Sequence, residues 1–223
     1  PKSAVDAAAH SVGCGIDSSR KHDADGLPCR AHVGNLPRLA SGANHPGMKI
    51  IAISGSLRTG SYNLRLARTL QSLAPDVIEV ATINGIPLYD ADLEVGGIPA
   101  IVAELKDKVA TADGLLIASP EYNASIPGVT KNAIDWLSRP TADIPRVFGG
   151  KPAAVVGATP GPGGTRLAQN AWLPVLRALG TVPYFDRVLY VDGAGKVWNE
   201  AGDVVDTRFR ERAEKFVDRK SVV

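Results

Sequence analysis

Three short aliphatic runs, Lys49–Ser54 (KIIAIS), Gly114–Ser119 (GLLIAS) and Pro152–Ala158 (PAAVVGA), are separated by longer stretches whose apolar residues recur at three- and four-residue spacing. A continuous apolar run too short for a helix suits a strand buried on both faces, the kind found in parallel sheets covered by helices. The predicted order is strand Lys49–Ser54, helix Tyr62–Leu73, strand Val77–Ile83, helix Pro99–Thr111, strand Gly114–Ser119 and helix Pro127–Ser138. Strand Pro152–Ala158, helix Leu167–Leu179 ended by Gly180, a fifth strand region Val182–Val191 and a closing helix Asp206–Arg219 follow. Alternating elements imply βαβ crossovers, hence an α/β domain with a doubly wound, five-stranded parallel sheet in three layers. In such sheets ligands bind outside the carboxyl ends of the strands, where the strand order reverses. The loops after the first, third and fourth strands are therefore where function is sought.

All four histidines (His10, His22, His32, His45) and both cysteines (Cys14, Cys29) precede the only methionine, Met48. Residues 1–47 are rich in Ala, Gly, Ser, Pro and His, show no sustained periodicity and lack the apolar stretch of a secretory signal. They read as a disordered leader, arising from upstream translation or added ahead of the domain. The alternative is a zinc site from Cys14, Cys29, His22 and His32, but no closely spaced cysteine pair supports it. Residues 48–223 then form one domain with 20 basic and 19 acidic residues, close to neutral and without the basic stripe of a nucleic-acid binder. No apolar run approaches the ~20 residues of a membrane-spanning helix, and a reducing cytoplasmic setting is expected. Lacking histidine and cysteine, the domain is without the commonest general base, a thiolate nucleophile and the soft metal ligands. A chain like this can still be an enzyme if a bound cofactor brings the reactive atom and the protein supplies binding, orientation and electrostatics.

The first loop, Ser54–Asn63 (SGSLRTGSYN), runs from a strand into a helix N-terminus and offers hydroxyls, one guanidinium and free backbone amides, an anion cradle. Gly55 and Gly60 have the spacing of a Walker A loop, but Ser61-Tyr62 stands where lysine and the magnesium-binding hydroxyl belong. A dinucleotide fingerprint fails because Leu57 occupies its middle glycine. Glu79, at a plausible distance for a ribose contact, reads as an ordinary residue of the second strand. What remains is a loop for a terminal monophosphate, or a connection that merely caps a helix with Ser61. The second loop, Ser119–Gly128 (SPEYNASIPG), is stiffened by two prolines and offers the aromatic surface of Tyr122 toward a planar ligand.

GSLRTGSYN, then IPLYDADLE, then SPEYNASIPGVTKNAIDWLSRP resemble the NAD(P)H-dependent FMN reductases of the flavodoxin-like fold, in particular the bacterial quinone and chromate reductase branch; the resemblance covers Met48 to about Asp218. It implies that Ser56, Arg58, Ser61, Tyr62 and Asn63 hold the FMN phosphate. Pro120, Glu121, Tyr122 and Asn123 would contact the isoalloxazine, and Thr159, Gly161 and Gly163 of the third loop would close the other side through their backbone. That third loop, TPGPGGT, is richer in proline and glycine than the family pattern. The implied activity is hydride transfer from NADH or NADPH through FMN to a quinone or another small acceptor, chromate and azo compounds among them, with no side chain needed for acid–base work. A flavodoxin-like electron carrier and a flavin-free nucleotide-sensing module are the alternatives. The resemblance also implies a homodimer or homotetramer. Lys131, Asp135, Trp136 and Arg139 are expected to face outward at the interface, unless Trp136 is simply core.

Overall fold

The computed structural model describes residues 47–218, so the expectations for the leader and its zinc alternative lie outside the described residues. The strands are β1 (Ile50–Ser54), β2 (Ile78–Thr82), β3 (Gly114–Ala118), β4 (Pro152–Ala158), β5 (Val182–Pro183) and β6 (Tyr190–Val191). The helices are α1 (Tyr62–Leu73), α2 (Ala91–Val95), α3 (Ala100–Thr111), α4 (Gly128–Leu137), α5 (Ile144–Val147), α6 (Arg166–Ala178) and α7 (Thr207–Val217). All strand pairs are parallel and the order is β2-β1-β3-β4-β5, the flavodoxin-like doubly wound arrangement, with its switch point between β1 and β3.

Side-chain alternation along the buried strands divides the core into two layers. Ile51, Ile53, Leu115 and Ile117 pack against Val102, Leu105 and Val109 of α3, Ile134 and Trp136 of α4, and Trp172 and Leu176 of α6. Ala52, Leu116, Ala118 and Val156 face Leu66 and Leu70 of α1 and Phe209 and Ala213 of α7. Helices thus cover both faces, which is why these strands read as unbroken apolar runs. Among the described residues no helix is long and apolar enough to cross a membrane.

The predicted fifth strand is a correction. Val182–Val191 is two short pieces, β5 beside Pro152–Ala153 and β6 beside Gly157–Ala158, and the stretch between them leaves the ladder with Phe185 and Val188 exposed. Pro183 cannot donate to a ladder, Asp186 and Arg187 interrupt the apolar run, and an edge position has a partner on one side only. The short helices α2 and α5 lie in segments where no helix was expected.

Candidate functional site

The loop after β1 enters a helix that Ser61 caps: its Oγ accepts from the amides of Asn63 at 3.2 Å and Leu64 at 3.3 Å. Ahead of that cap, the amides of Ser56, Leu57, Thr59, Gly60 and Tyr62 make no hydrogen bond among the described residues. The Ser56 hydroxyl accepts from the Arg58 amide at 3.3 Å and keeps its own proton to donate. The exposed Arg58 guanidinium lies 5.3 Å over the Tyr62 ring and donates to the Gly60 carbonyl at 2.9 Å. Free amides, the positive end of a 12-residue helix and a guanidinium together form an anion site.

The loop after β3 ends in a tight turn. Tyr122 and Ser125 exchange both backbone hydrogen bonds, at 3.1 and 3.0 Å, while Asn123 and Ala124 both adopt left-handed conformations with φ of 50° and 60°. Positive φ at both central residues is the mark of a type I′ turn, unusual with alanine at the second place. The turn leaves Tyr122 half exposed above buried Pro120.

The loop after β4, Thr159–Thr165, is braced from below: the Thr159 amide donates to Val191, the Ala194 amide to Thr159, and the Gly193 amide to Gly161. Gly164, at φ 59°, passes so close to Tyr190 that a Cβ would lie 2.6 Å from the tyrosine Cβ. Gly163, at φ 94°, has open space beside its α carbon.

Three side chains pin these loops to one another and to the helices behind them. Asn63 donates to the Ala158 carbonyl at 2.9 Å and accepts from the Ala158 amide at 2.9 Å, joining the start of α1 to the end of β4 while 4% exposed. Buried Thr130 of α4 donates to the Gly55 carbonyl at 2.7 Å, a contact possible because Gly55 has no side chain to meet it. Glu121 accepts through Oε2 from the amides of Leu167 at 2.8 Å and Ala168 at 3.0 Å, capping α6 from the neighbouring loop. The framework beneath is buried too: Trp172 Nε1 donates to Ser119 Oγ at 2.9 Å, and Ser119 donates to the Pro120 carbonyl.

The expected site residues therefore separate. Ser56, Arg58 and Tyr62 stand at the open anion loop, and Tyr122 and Asn123 at the exposed turn. Ser61 accepts two amides at the helix cap and keeps its proton to donate, while Asn63 and, through Oε2, Glu121 bridge neighbouring elements, so all three brace the loops. Thr159 and Gly161 use their backbone in the brace, while Gly163 stays open. Thr130, Gly157 and Thr165 went unnoticed. A Cβ on Gly157 would overlap Thr165 Oγ1 and lie 2.5 Å from the Ser119 carbonyl oxygen. A glycine inside an apolar strand was the signal for that close approach.

Trp136 is a correction: it is fully buried, edge-on to Tyr89 at 5.1 Å, and its Nε1 donates to the Pro87 carbonyl at 2.9 Å. Lys131 and Asp135 pair with each other at 2.6 Å, and Arg139 lies 5.1 Å over the Tyr89 ring. Asn132 and Trp136 make the helix a seat for the Pro87–Tyr89 segment, while Lys131 and Asp135, each 40% exposed, do face outward. Glu79 sits near the amino end of β2, away from the three loops, paired with Lys49 at 2.7 Å and Lys108 at 3.5 Å. The hydrogen bond from Lys49 holds its carboxyl below the usual value.

Residues 48–196 match the family model described as NADPH-dependent FMN reductase. An NAD(P)H-dependent FMN reductase from Pseudomonas aeruginosa is 41% identical over 166 residues, covering 74% of this chain and 88% of the relative. A 2-hydroxy-1,4-benzoquinone reductase from a Burkholderia species is 38% identical over 77% of this chain and 93% of its own length. Among solved structures, the flavoenzyme NAD(P)H:(acceptor) oxidoreductase FerB from Paracoccus denitrificans superposes with a TM-score of 0.69 at 36% identity, covering 77% of this chain and 93% of FerB.

Proposed function

The chain belongs to the NADPH-dependent FMN reductase family, and from that premise we propose that it is an FMN-dependent NAD(P)H oxidoreductase delivering two electrons to quinones or other small acceptors. The observation that carries the reading is the set of uncommitted amides at the start of α1, beside Arg58 and the Ser56 hydroxyl, in the loop at the switch point of the sheet. That donor set fits a phosphate monoester, and the loops after β3 and β4 lie beside it, clamped by Asn63 and Glu121. The residues present therefore fit FMN.

Bound FMN supplies the two-electron chemistry between a reduced pyridine nucleotide and the acceptor. The free amides of Ser56, Leu57, Thr59, Gly60 and Tyr62, with the Ser56 hydroxyl and Arg58, would hold its phosphate, and the Tyr62 ring supports the guanidinium. Ser61 and Asn63 keep those donors in place from behind. Tyr122 offers an aromatic surface, and the backbone of Pro120–Asn123 and of Thr159, Gly161 and Gly163 walls the ring. If nicotinamide and acceptor use the same open face of the bound flavin, they would alternate there and the kinetics would be ping-pong.

Purified protein is expected to be yellow, to bleach with NADPH or NADH, and to recover on adding a quinone. Colourless protein that takes up no FMN overturns the reading, and a flavin that binds without steady-state NAD(P)H oxidation marks a carrier instead. We place all of this in residues 48–223, in the cytoplasm and in a homodimer or homotetramer. Exposed Leu88 and Val95, on the segment before α3, support self-association where Trp136 does not.

A further inference from the structure

The N-terminus of α6 is capped by a side chain from a distant part of the chain. Thr165, in its capping position, is left-handed at φ 62°, makes no capping bond with its side chain and is buried against Gly157 and Gln169. The second and third amides of the helix are instead satisfied by Glu121, 46 and 47 residues earlier in the chain. No cation shares that carboxylate: Glu121 makes no ion pair among the described residues, and the nearby Arg166 lies 4.9 Å over the Tyr190 ring.

Building on the functional reading above, we propose that Glu121 is a positioning residue with two effects: it fixes the spacing of the loops that wall the flavin, and its charge holds the flavin's reduction potential down. The first effect follows from connectivity, since Glu121 belongs to the loop after β3 and the amides it binds open the helix after the third loop. The second follows from electrostatics. The N-terminus of a 13-residue helix carries roughly half a positive charge. Left bare, it would favour the reduced, more electron-rich flavin. A carboxylate bonded there cancels that field and reverses its sign, so reduced flavin is held less tightly and gives up its electrons more readily.

Glu121→Gln and Glu121→Ala separate the two effects. Glutamine keeps an oxygen for both amides and removes the charge, whereas alanine removes both. Amide hydrogen exchange in the flavin-free protein reads the clamp: Leu167 and Ala168 are expected to stay protected in E121Q and to exchange at least tenfold faster in E121A. The midpoint potential of the holoprotein reads the charge. In E121Q the preference for reduced over oxidised FMN should rise about tenfold, a positive shift of roughly 30 mV for a two-electron couple. Unchanged exchange in E121A overturns the clamp. A wild type that binds FMN, with an E121Q variant whose potential is unmoved, overturns the charge effect alone. A wild type that takes up no FMN overturns the functional reading, and the exchange experiment still decides the clamp.

Discussion

Ala124 is the residue most at odds with its backbone. A left-handed alanine costs roughly 1–2 kcal/mol, and the second central place of a type I′ turn favours glycine. Strain of this kind persists where the surroundings impose it, and here it shapes the turn that presents Tyr122. Ala124→Gly should therefore raise stability by about 1 kcal/mol in urea denaturation; a loss of stability would show that the methyl group makes a contact worth more than the strain. Which loops follow β1, β3 and β4 could be read from the alternation of elements, but the bonds their side chains make could not. Asn63 and Glu121 are polar residues in the right loops, yet their partners are the backbone of Ala158, Leu167 and Ala168, more than forty positions away. Backbone partners leave no trace in a sequence, whereas Arg58 and Tyr122 advertised themselves by charge and ring.

At the scale of elements, the strands were legible because burial on both faces leaves unbroken aliphatic runs, and the fifth region was misread because an edge is held on one side only. Helix α4 shows a different limit. Asn132 and Trp136 sit one turn apart and both donate to the Pro87 carbonyl, at 2.8 and 2.9 Å, while Asn132 also accepts from the Tyr89 amide at 2.8 Å. Periodicity alone could not say whether that aromatic turned toward the core or toward another subunit. Trp136→Phe keeps most of the packing and loses one hydrogen bond, so a cost of about 1–2 kcal/mol is expected in thermal denaturation with the oligomeric state unchanged. Dissociation of an assembly by this substitution, with the fold intact, would contradict the buried role of Trp136.

For the whole molecule, three loops meet at the carboxyl end of one parallel sheet because the strand order reverses between β1 and β3, and side-chain clamps, two of them buried, lock them together before any ligand arrives. Preorganisation of this kind reduces the ordering cost of binding. The central claim is that the loop after β1 grips the FMN phosphate, and calorimetric titration of wild type and Arg58→Ala with FMN and with riboflavin tests it most directly. Loss of Arg58 should weaken FMN by about 1–3 kcal/mol, the scale of a hydrogen bond to a charged group, and leave riboflavin, which has no phosphate, nearly unchanged. Equal losses for both flavins would place the phosphate elsewhere and contradict the account.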